Sequence, residues 1–272
     1  AGGLRPYHRP ITLALATCSK VPDWEVDDEP LRAALRAKGH AFAEPVWDDP
    51  AVDWSTFTAV LIRTTWDYME RRDEFVAWAE RVADVTALYN PPDVIRWNTH
   101  KAYLRDLQLI GIPVIPTVWL DRGAPVSIEA ILEVEGWPSV FIKPAVGATA
   151  RETVRARTGE DLGEAQAHLD RTLTAEDMLV QPDLPSVETF GEVSAIYIDG
   201  ALSHGVRKVP VAGDYRVQDD FGAHDEPFEF TGADLDVVEH AIDAAGARGL
   251  LYARIDLLRA DTGNLPVSYT HL

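Results

Sequence analysis

Short apolar runs alternate with amphipathic segments along the first ninety residues. Three apolar runs predict strands: ITLALAT (11–17), FAEPV (42–46) and AVLIR (59–63). Two amphipathic segments predict helices: EPLRAALRAKGH (29–40), which closes at a glycine, and RRDEFVAWAERVA (71–83). In the second helix Phe75, Trp78 and Val82 fall on one face. This order of strands and helices predicts a small open parallel sheet.

The second half of the chain has a different pattern, and NPPD (90–93) marks the predicted boundary between two domains. After it, Asn98 is expected to cap a helix, THKAYLRDLQLIG (99–111). EVSAIYIDGALSHGVRKV (192–209) predicts a β-hairpin, because Asp199-Gly200 between alternating apolar residues favours a tight turn. The other predicted elements are helices near 127–135, 160–171 and 232–246 and strands near 114–120, 139–143, 153–156, 178–184 and 250–258.

The composition narrows the class of protein. With 272 residues and a hydrophobic fraction of 46%, the chain can form two compact units, each with a core. Its net charge of −19 would repel the phosphates of nucleic acids and anionic membranes, so we expect neither as a partner. Cys18 is the single cysteine, which excludes an internal disulfide and a cysteine-based zinc site. We recognise no signal peptide and no apolar run long enough to span a bilayer, and therefore expect a cytoplasmic protein.

Several motifs that would identify a known chemistry are absent from the sequence. It contains no G-x-x-x-x-G-K-[ST], no G-x-G-x-x-G after a strand, no G-x-S-x-G and no H-x-x-x-H pair. A spaced set of charged residues remains: Lys101, Lys143, Glu188, Arg216 and Asp256. Singly, each has an ordinary explanation: Lys101 as a solvated helix lysine, Lys143 as a lysine that keeps a strand edge soluble, and Asp256 as half of a buried ion pair. Their order and spacing as a set favour a functional site.

Six stretches in the second half resemble, in order, the ATP-grasp ligases, in the branch of glutathione synthetases and ribosomal-protein glutamate ligases. They are YNPPDVIRWNTHKAYLRDLQLIGIPVIPT (89–117), FIKPAVGATAR (141–151), MLVQPDLPSVE (178–188), GEVSAIYIDGALSHGVRKVP (191–210), DYRVQ (214–218) and ARIDLL (253–258). RTTWDYMERRDEFVAW (63–78), together with WNTHKAYL (97–104), is similar more narrowly to the O-ureido-serine cyclo-ligases of cycloserine biosynthesis. The resemblance implies an α/β protein, α+β in its second half: an ATP-grasp fold with an N-terminal open parallel-sheet domain.

The resemblance also implies ATP and Mg²⁺ as cofactors and gives each matching residue a role. Lys101 and Lys143 would hold the phosphates under a small-residue loop of Gly147, Ala148 and Thr149, whose backbone N–H groups are accessible. The adenine would meet Val180, Gln181 and Leu184, the ribose Glu188, and the metal Asp256. Arg216 and Arg254 would be catalytic, steadying the transferring phosphate or the carboxylate. An amino-acid-like substrate would meet Arg63, Trp66, Asp67 and Tyr68, although Trp66 and Tyr68 could equally be core or interface aromatics.

The implied reaction is phosphoryl transfer to a carboxylate, followed by attack of an amine on the acyl phosphate. In a cyclo-ligase both groups belong to one substrate. Two alternatives stay open at this stage. The chain could be a non-catalytic or truncation-inactivated nucleotide-binding protein, or an α/β protein that binds a small acidic metabolite without ATP. A monomer and a homo-oligomer are equally compatible with the sequence.

The end of the sequence departs from the family. Members continue past the aspartate strand into a strand with a Glu and, two residues on, a Glu or Asn that complete the metal site. Here LLRADTGN (257–264) leads into LPVSYTHL (265–272), which holds no acidic residue and resembles translated cloning or adaptor sequence, with a divergent terminus as the alternative. Loss of the family strand would leave a sheet edge exposed. The expected division is a pre-ATP-grasp domain (1–92), an ATP-grasp subdomain with the lysines (93–176), a truncated C-terminal subdomain (177–266) and a non-native tail (267–272).

Overall fold

The structure, a computed structural model, describes residues 12–20, 28–147, 150–213, 217, 222–260 and 263–271. The chain divides into two compact units: unit 1, Ala1–Arg96, and unit 2, Trp97–Leu272. Within the described ranges, no helix has both the length and the apolar character needed to cross a membrane.

Unit 1 is built on a four-stranded sheet. Its strands are β1 (Thr12–Thr17), β2 (Ala41–Ala43), β3 (Ala59–Thr64) and β4 (Ala87–Tyr89). Its helices are α1 (Glu29–Ala37), α2 (Arg72–Ala83) and α3 (Pro92–Asn98), the last of which contains the division point. The strand order is β2-β1-β3-β4, and each neighbouring pair is parallel. The predicted open parallel sheet is therefore confirmed.

Aromatic rings fill the core of unit 1. Phe75 and Trp78 of α2 are buried and stack with ring centroids 5.2 Å apart, and Val82 is buried one turn further on, as the helical pattern predicts. Trp47 meets Phe75 edge-on at 5.3 Å, and Trp54 meets Trp78 in the same way at 5.3 Å. Such pairs contribute about 0.5–1.5 kcal/mol each beyond the area they bury, so this cluster fixes α2 against the sheet.

Unit 2 contains two antiparallel sheets with helices. The strands are β5 (Val118–Leu120), β6 (Ser139–Pro144), β7 (Val154–Arg157), β8 (Met178–Pro182), β9 (Glu192–Ile198), β10 (Ala201–Val209), β11 (His224–Phe228), β12 (Tyr252–Leu258) and β13 (Val267–His271). The first sheet has the order β5-β8-β6-β7 and the second the order β11-β10-β9-β12-β13. The helices are α4 (Tyr103–Leu109), α5 (Ile128–Glu135), α6 (Gly163–Thr172), α7 (Ser186–Thr189) and α8 (Gly232–Ala244).

The hairpin of β9 and β10 forms as predicted. Ile198 pairs with Ala201, so the loop is the two residues Asp199 and Gly200, both at positive φ (52° and 74°). This is the conformation that a tight two-residue hairpin turn requires. A side chain at Gly200 would also collide with the carbonyl oxygen of Arg248, 2.1 Å from the position of its Cβ.

The predicted helix cap at Asn98 is wrong. Asn98 is the last residue of α3, and its amide nitrogen donates to the carbonyl oxygen (3.1 Å) and the hydroxyl (2.7 Å) of Thr270. Helix α4 begins only at Tyr103, so Lys101 lies before the helix and not in its first turn. The partner of Asn98 is 172 residues away, and a local capping pattern cannot reveal a contact of that range.

The exposed sheet edge expected beside β12 is also wrong, because β13 pairs with β12 along that edge. Val267 is buried, accepts a backbone hydrogen bond from Ile115 (3.1 Å) and donates one to Pro113 (2.8 Å). Backbone pairing needs only an extended chain with apolar side chains on the buried face, and Leu265 and Val267 supply them. The origin of 267–272 stays a prediction.

Candidate nucleotide site

Lys101 and Lys143 lie together at one end of β6. The Lys101 ammonium donates to the carbonyl oxygens of Pro144 (2.9 Å) and Gly147 (2.8 Å), and its backbone N–H donates to Ala145 (2.8 Å). Burial and the nearby charge of Lys143 lower the pKa of Lys101 to about 7. Burial lowers the pKa of Lys143 to about 8, although Glu192 opposes that shift. Lys101 is buried and Lys143 is half-buried, and the charge of Lys143 disfavours the charged form of Lys101, so an anion beside them would stabilise both.

Gly147 follows β6 beside these cations. A Cβ at Gly147 would stand 3.2 Å from the ring of Pro144, which is a tight contact, and 3.8 Å from the Lys101 nitrogen, which is an ordinary one. Glycine also leaves its backbone accessible to a ligand. Ala148 and Thr149, the next two predicted residues of the loop, lie outside the described residues.

The predicted adenine and ribose residues lie along β8 and the short helix α7. Val180 is fully buried in the core of the first sheet of unit 2. Gln181 is buried too, and its amide donates to the hydroxyl of Thr117 at 2.8 Å. Leu184 is half-buried. The carboxylate of Glu188 accepts from Arg155 at 3.1 Å, so it is held in place but paired in this structure.

Asp256 lies in a buried network on the second sheet. One carboxylate oxygen accepts from the hydroxyl of Ser194 (2.6 Å), and the other accepts from Arg254 (3.0 Å). Burial alone would raise the pKa of Asp256, but the charges of Arg254 and Lys208 and these hydrogen bonds hold it below its ordinary value. The Asp256 carboxylate is therefore kept ionised. Arg216, the other predicted catalytic residue, is outside the described part of the chain.

Two residues that the sequence analysis did not select belong to the same network. Glu192 of β9 pairs with Lys208 of β10 at 3.4 Å. In the strand register Glu192 lies opposite Leu258 and Ser194 opposite Asp256, so Glu192 and Asp256 point to one face of the sheet. Burial and the nearby Asp256 raise the pKa of Glu192. Its signal in the sequence was the alternation of β9, where Glu192 and Ser194 put polar groups on one face of an otherwise apolar strand.

The structure tests whether this network suits the Mg²⁺ that the family implies. Glu192 and Asp256 offer hard carboxylate oxygens on one face, and Mg²⁺ commonly uses one or two carboxylates and takes its remaining ligands from phosphates and water. Among the described residues no group of three His, Cys, Asp or Glu side chains could hold a metal alone. The residues therefore fit an ion shared with a phosphate, and they do not form a complete protein cage.

The four predicted substrate residues lie in unit 1: Arg63 near the end of β3, and Trp66, Asp67 and Tyr68 in the short helical turn that follows it. Arg63 donates to the buried carboxylate of Asp28 at 2.7 and 2.5 Å. Asp67 accepts from the indole N–H of Trp47 at 2.8 Å, Tyr68 is buried, and Trp66 packs on the core. The carboxyl ends of parallel strands are where such sheets bind ligands. Within unit 1, however, Asp67 and Tyr68 already have structural contacts.

Sequence comparisons identify one relative over nearly the whole chain and others over parts of it. Residues 13–90 match the family model "D-cycloserine synthetase DcsG, N-terminal domain". The chain is 32% identical, over 268 residues, to the cycloserine biosynthesis protein DcsG of Streptomyces lavendulae, covering 93% of this chain and 87% of that protein. A glutathione synthetase of Prochlorococcus marinus is 27% identical over 180 residues, covering 66% of this chain and 55% of that protein.

Structure comparisons give the same assignment. The crystal structure of D-cycloserine synthetase DcsG superposes with a TM-score of 0.84 at 30% identity, covering 96% of this chain and 91% of that one. The ATP complex of D-alanine–D-alanine ligase from Bacillus anthracis superposes with a TM-score of 0.69 at 14% identity, covering 96% and 85%, and shows the shared ATP-grasp fold. Because it is 32% identical to DcsG over 93% of its length, the chain belongs to the DcsG family of ATP-grasp ligases, enzymes that form C–N bonds with ATP.

Proposed function

We propose that this enzyme is a cyclo-ligase that uses ATP and Mg²⁺ to join the carboxylate and an amine nitrogen of one amino-acid derivative. The observation that carries the proposal is the 32% identity over 93% of the chain to a cycloserine biosynthesis protein. The pair of Lys101 and Lys143 supports it, since both lysines lie at the end of β6, where their charges could stabilise nucleotide phosphates.

In the first step, the substrate carboxylate takes the γ-phosphoryl group, forming an acyl phosphate and ADP. Lys101 and Lys143 stabilise the charge on the phosphates, with Arg254 and Arg216 at the transferring group. Gly147, Ala148 and Thr149 are the proposed backbone contacts of the phosphates. Because the protein's net charge of −19 repels ATP at long range, these local cations must provide the attraction.

In the second step, a nitrogen of the same molecule attacks the acyl carbon, the amide bond forms as the bond to the phosphate oxygen breaks, and inorganic phosphate leaves with the proton that the nitrogen loses. Arg63, Trp66, Asp67 and Tyr68 hold the amino-acid end of the substrate. Because both reacting groups belong to one molecule, the enzyme's contribution is to hold the molecule bent and to exclude water from the acyl phosphate.

The nucleotide and the metal occupy the remaining predicted positions. Val180, Gln181 and Leu184 contact the adenine, and Glu188 accepts from the ribose hydroxyls after exchanging its contact with Arg155. Asp256 and Glu192 hold the Mg²⁺, which when bound neutralises charge on the phosphates.

The test is phosphate release from ATP, measured with O-ureido-D-serine and with a panel of other amino acids, with mass spectrometry of the product. We expect stimulation by the ureido compound and a cyclic product. A Lys143→Gln variant should lose at least about 100-fold in kcat/KM through loss of a charged phosphate contact, whereas Lys38→Gln, at an exposed position after α1, should match the wild type. Failure of every amino acid to stimulate phosphate release would disprove the ligase activity.

A second candidate, nucleotide binding without turnover, is favoured by two observations. Strand β13 presents no carboxylate, and the described residues contain no three-ligand metal group. The same assay separates the two functions. ATP would raise the melting temperature of a binding protein without any phosphate release on addition of amino acids.

A further inference from the structure

Arg151 lies at the far end of the segment that follows Gly147, between two residues with an uncommon backbone. Ala150 and Glu152 both have positive φ, 56° and 50°, which residues other than Gly, Asn and Asp seldom adopt. The side chain of Glu152 contacts Arg171 at 3.3 Å, and its carbonyl oxygen is 3.0 Å from the ring of His168 in α6. The backbone on the C-terminal side of Arg151 is thus anchored to α6.

The guanidinium of Arg151 is directed at Glu176, which precedes β8. Both of its terminal nitrogens donate to the same carboxylate oxygen, at 3.0 and 2.9 Å, and both side chains are about three-quarters buried. Burial raises the pKa of Glu176, and Arg151 and Lys101 oppose that shift. The backbone gives the same placement: the carbonyl oxygen of Asp177, next to Glu176, accepts from Ala145 (2.9 Å), and Ala145 accepts from the backbone N–H of Lys101 (2.8 Å). Arg151 and Glu176 therefore lie beside Lys101, at the phosphate end of the proposed nucleotide site.

Cations and carboxylates are mixed around this point. Arg151 contacts Glu176 directly, and the charge of Glu176 also favours the protonated form of Lys101. Lys143 has the carboxylate of Glu192 nearby. A guanidinium binds carboxylate and phosphate oxygens with the same donor geometry. The Glu176 carboxylate thus takes, on Arg151, the donor positions that a phosphate oxygen could also take.

We propose that Arg151 is a further phosphate-binding residue of this enzyme, and that Glu176 takes the place of a nucleotide phosphate oxygen on Arg151 while the site is empty. This inference rests on the proposed nucleotide site. When a nucleotide triphosphate binds, Arg151 exchanges the Glu176 carboxylate for the more highly charged phosphate. Glu176 therefore competes with the ligand, and its negative charge opposes nucleotide binding.

The two partners of this ion pair should have opposite effects on nucleotide affinity, which a purely structural ion pair would not produce. Dissociation constants for ATP, ADP and AMP are measured by calorimetry on the full chain with Mg²⁺. Arg151→Gln should weaken ATP binding about tenfold, the size of one charge-assisted hydrogen bond, should weaken ADP binding less and should leave AMP unchanged. Glu176→Gln should tighten ATP binding about threefold or more.

Two further variants keep the result independent of folding. Arg151→Lys retains the charge but loses the paired N–H donors of the guanidinium. We therefore expect ATP binding to weaken about threefold at an unchanged melting temperature. Arg157→Gln is the matched control, because Arg157 lies on the adjoining strand β7, is exposed and pairs with Glu160 at 3.9 Å. It should bind all three nucleotides like the wild type.

The outcomes are distinct. Equal weakening by Arg151→Gln and Glu176→Gln, or no change in either, would overturn the assignment of Arg151 while the wild type still binds ATP and forms product. Equal loss for ATP and AMP in Arg151→Gln would overturn it as well. A wild type that binds no ATP would overturn both the assignment of Arg151 and the proposed function.

Discussion

Burial makes the charge of Lys101 depend on pH near neutrality, which is unusual for a lysine. Its ammonium is buried, held by two carbonyl oxygens, and close to a second lysine. The pKa of about 7 in the folded protein is far below the ordinary value of 10.5. As the pH rises above 7, the free enzyme therefore contains an increasing fraction of Lys101 in its neutral form, and a bound phosphate would favour the charged form.

The consequence is a proton taken up with ATP. At pH 8 we expect Lys101 to take up roughly one proton from solvent when ATP binds, and Lys143 to take up a further fraction. The dissociation constant for ATP should rise as the pH rises from 7 to 9, by up to about tenfold per pH unit for each lysine that titrates. The measurement is calorimetry in buffers of different ionisation enthalpy.

The control for that experiment is Lys101→Arg, which stays charged throughout this range. Proton uptake in this variant should fall to the part that Lys143 contributes. Proton release on ATP binding, or an uptake at pH 8 that is the same in Lys101→Arg and in the wild type, would contradict the account.

The sequence identified the residues of the lysine pair but not their state. Lys101 and Lys143 were selected by motif, and the structure brings them together. Their low pKa values depend on burial by segments far apart in the chain, which no local pattern encodes. The same holds for Glu192, whose partners Lys208 and Asp256 lie on two different neighbouring strands.

At the scale of elements, the hairpin of β9 and β10 carries much of the site. Gly191 stands just before Glu192, with φ at 91°, and a Cβ there would be 2.1 Å from the carbonyl oxygen of Lys208. A larger residue would push β10 away from the start of β9. The ion pair between Glu192 and Lys208 would be displaced with it.

We therefore expect Gly191→Ala to lower the free energy of unfolding by about 3–5 kcal/mol, combining the cost of a positive φ with that of a backbone collision. Gly159→Ala isolates the first contribution, since Gly159 also has a positive φ (86°) but has nothing within 4 Å of its Cβ position. It should cost about 1–2 kcal/mol. Urea unfolding of both variants gives the comparison, and equal costs would show that the collision is relieved by a small shift.

At the same scale, the elements that depend on local patterns were predicted correctly, and the one that depends on a long-range contact was not. The parallel sheet of unit 1, helix α2 and the β9–β10 hairpin follow from periodicity and turn chemistry, and these were predicted correctly. The start of α4 was not, because Asn98 takes Thr270 as its partner. The Asn98 side chain could cap the next helix or bond to Thr270, and only the packing of the folded chain brings Thr270 within reach.

For the whole molecule, the described residues of the proposed nucleotide site all belong to unit 2. A ligand that binds only the folded form stabilises it by about 2.7 kcal/mol at 100 times its dissociation constant. With ATP at that concentration, the slowest-exchanging amides of β6 and β8 should exchange up to about 100-fold more slowly. Hydrogen exchange read by mass spectrometry measures this segment by segment.

Lys143→Gln provides the comparison for the exchange experiment. At the same ATP concentration its β6 and β8 peptides should gain much less protection, because the variant binds more weakly. Protection that appears only in α2 and β1, or that is identical in Lys143→Gln, would place the nucleotide elsewhere.

The sequence by itself determined the alternation of elements, the turn at Asp199 and Gly200, and the ordered motifs from which the ATP-grasp family could be recognised. These depend on neighbours within a few residues, and local sterics and periodicity specify them. Only the tertiary structure decided which charges meet: Lys101 with the carbonyl oxygens of Pro144 and Gly147, and Arg151 with Glu176. Burial and distance set the strength of a charge interaction, and both exist only once distant segments have packed.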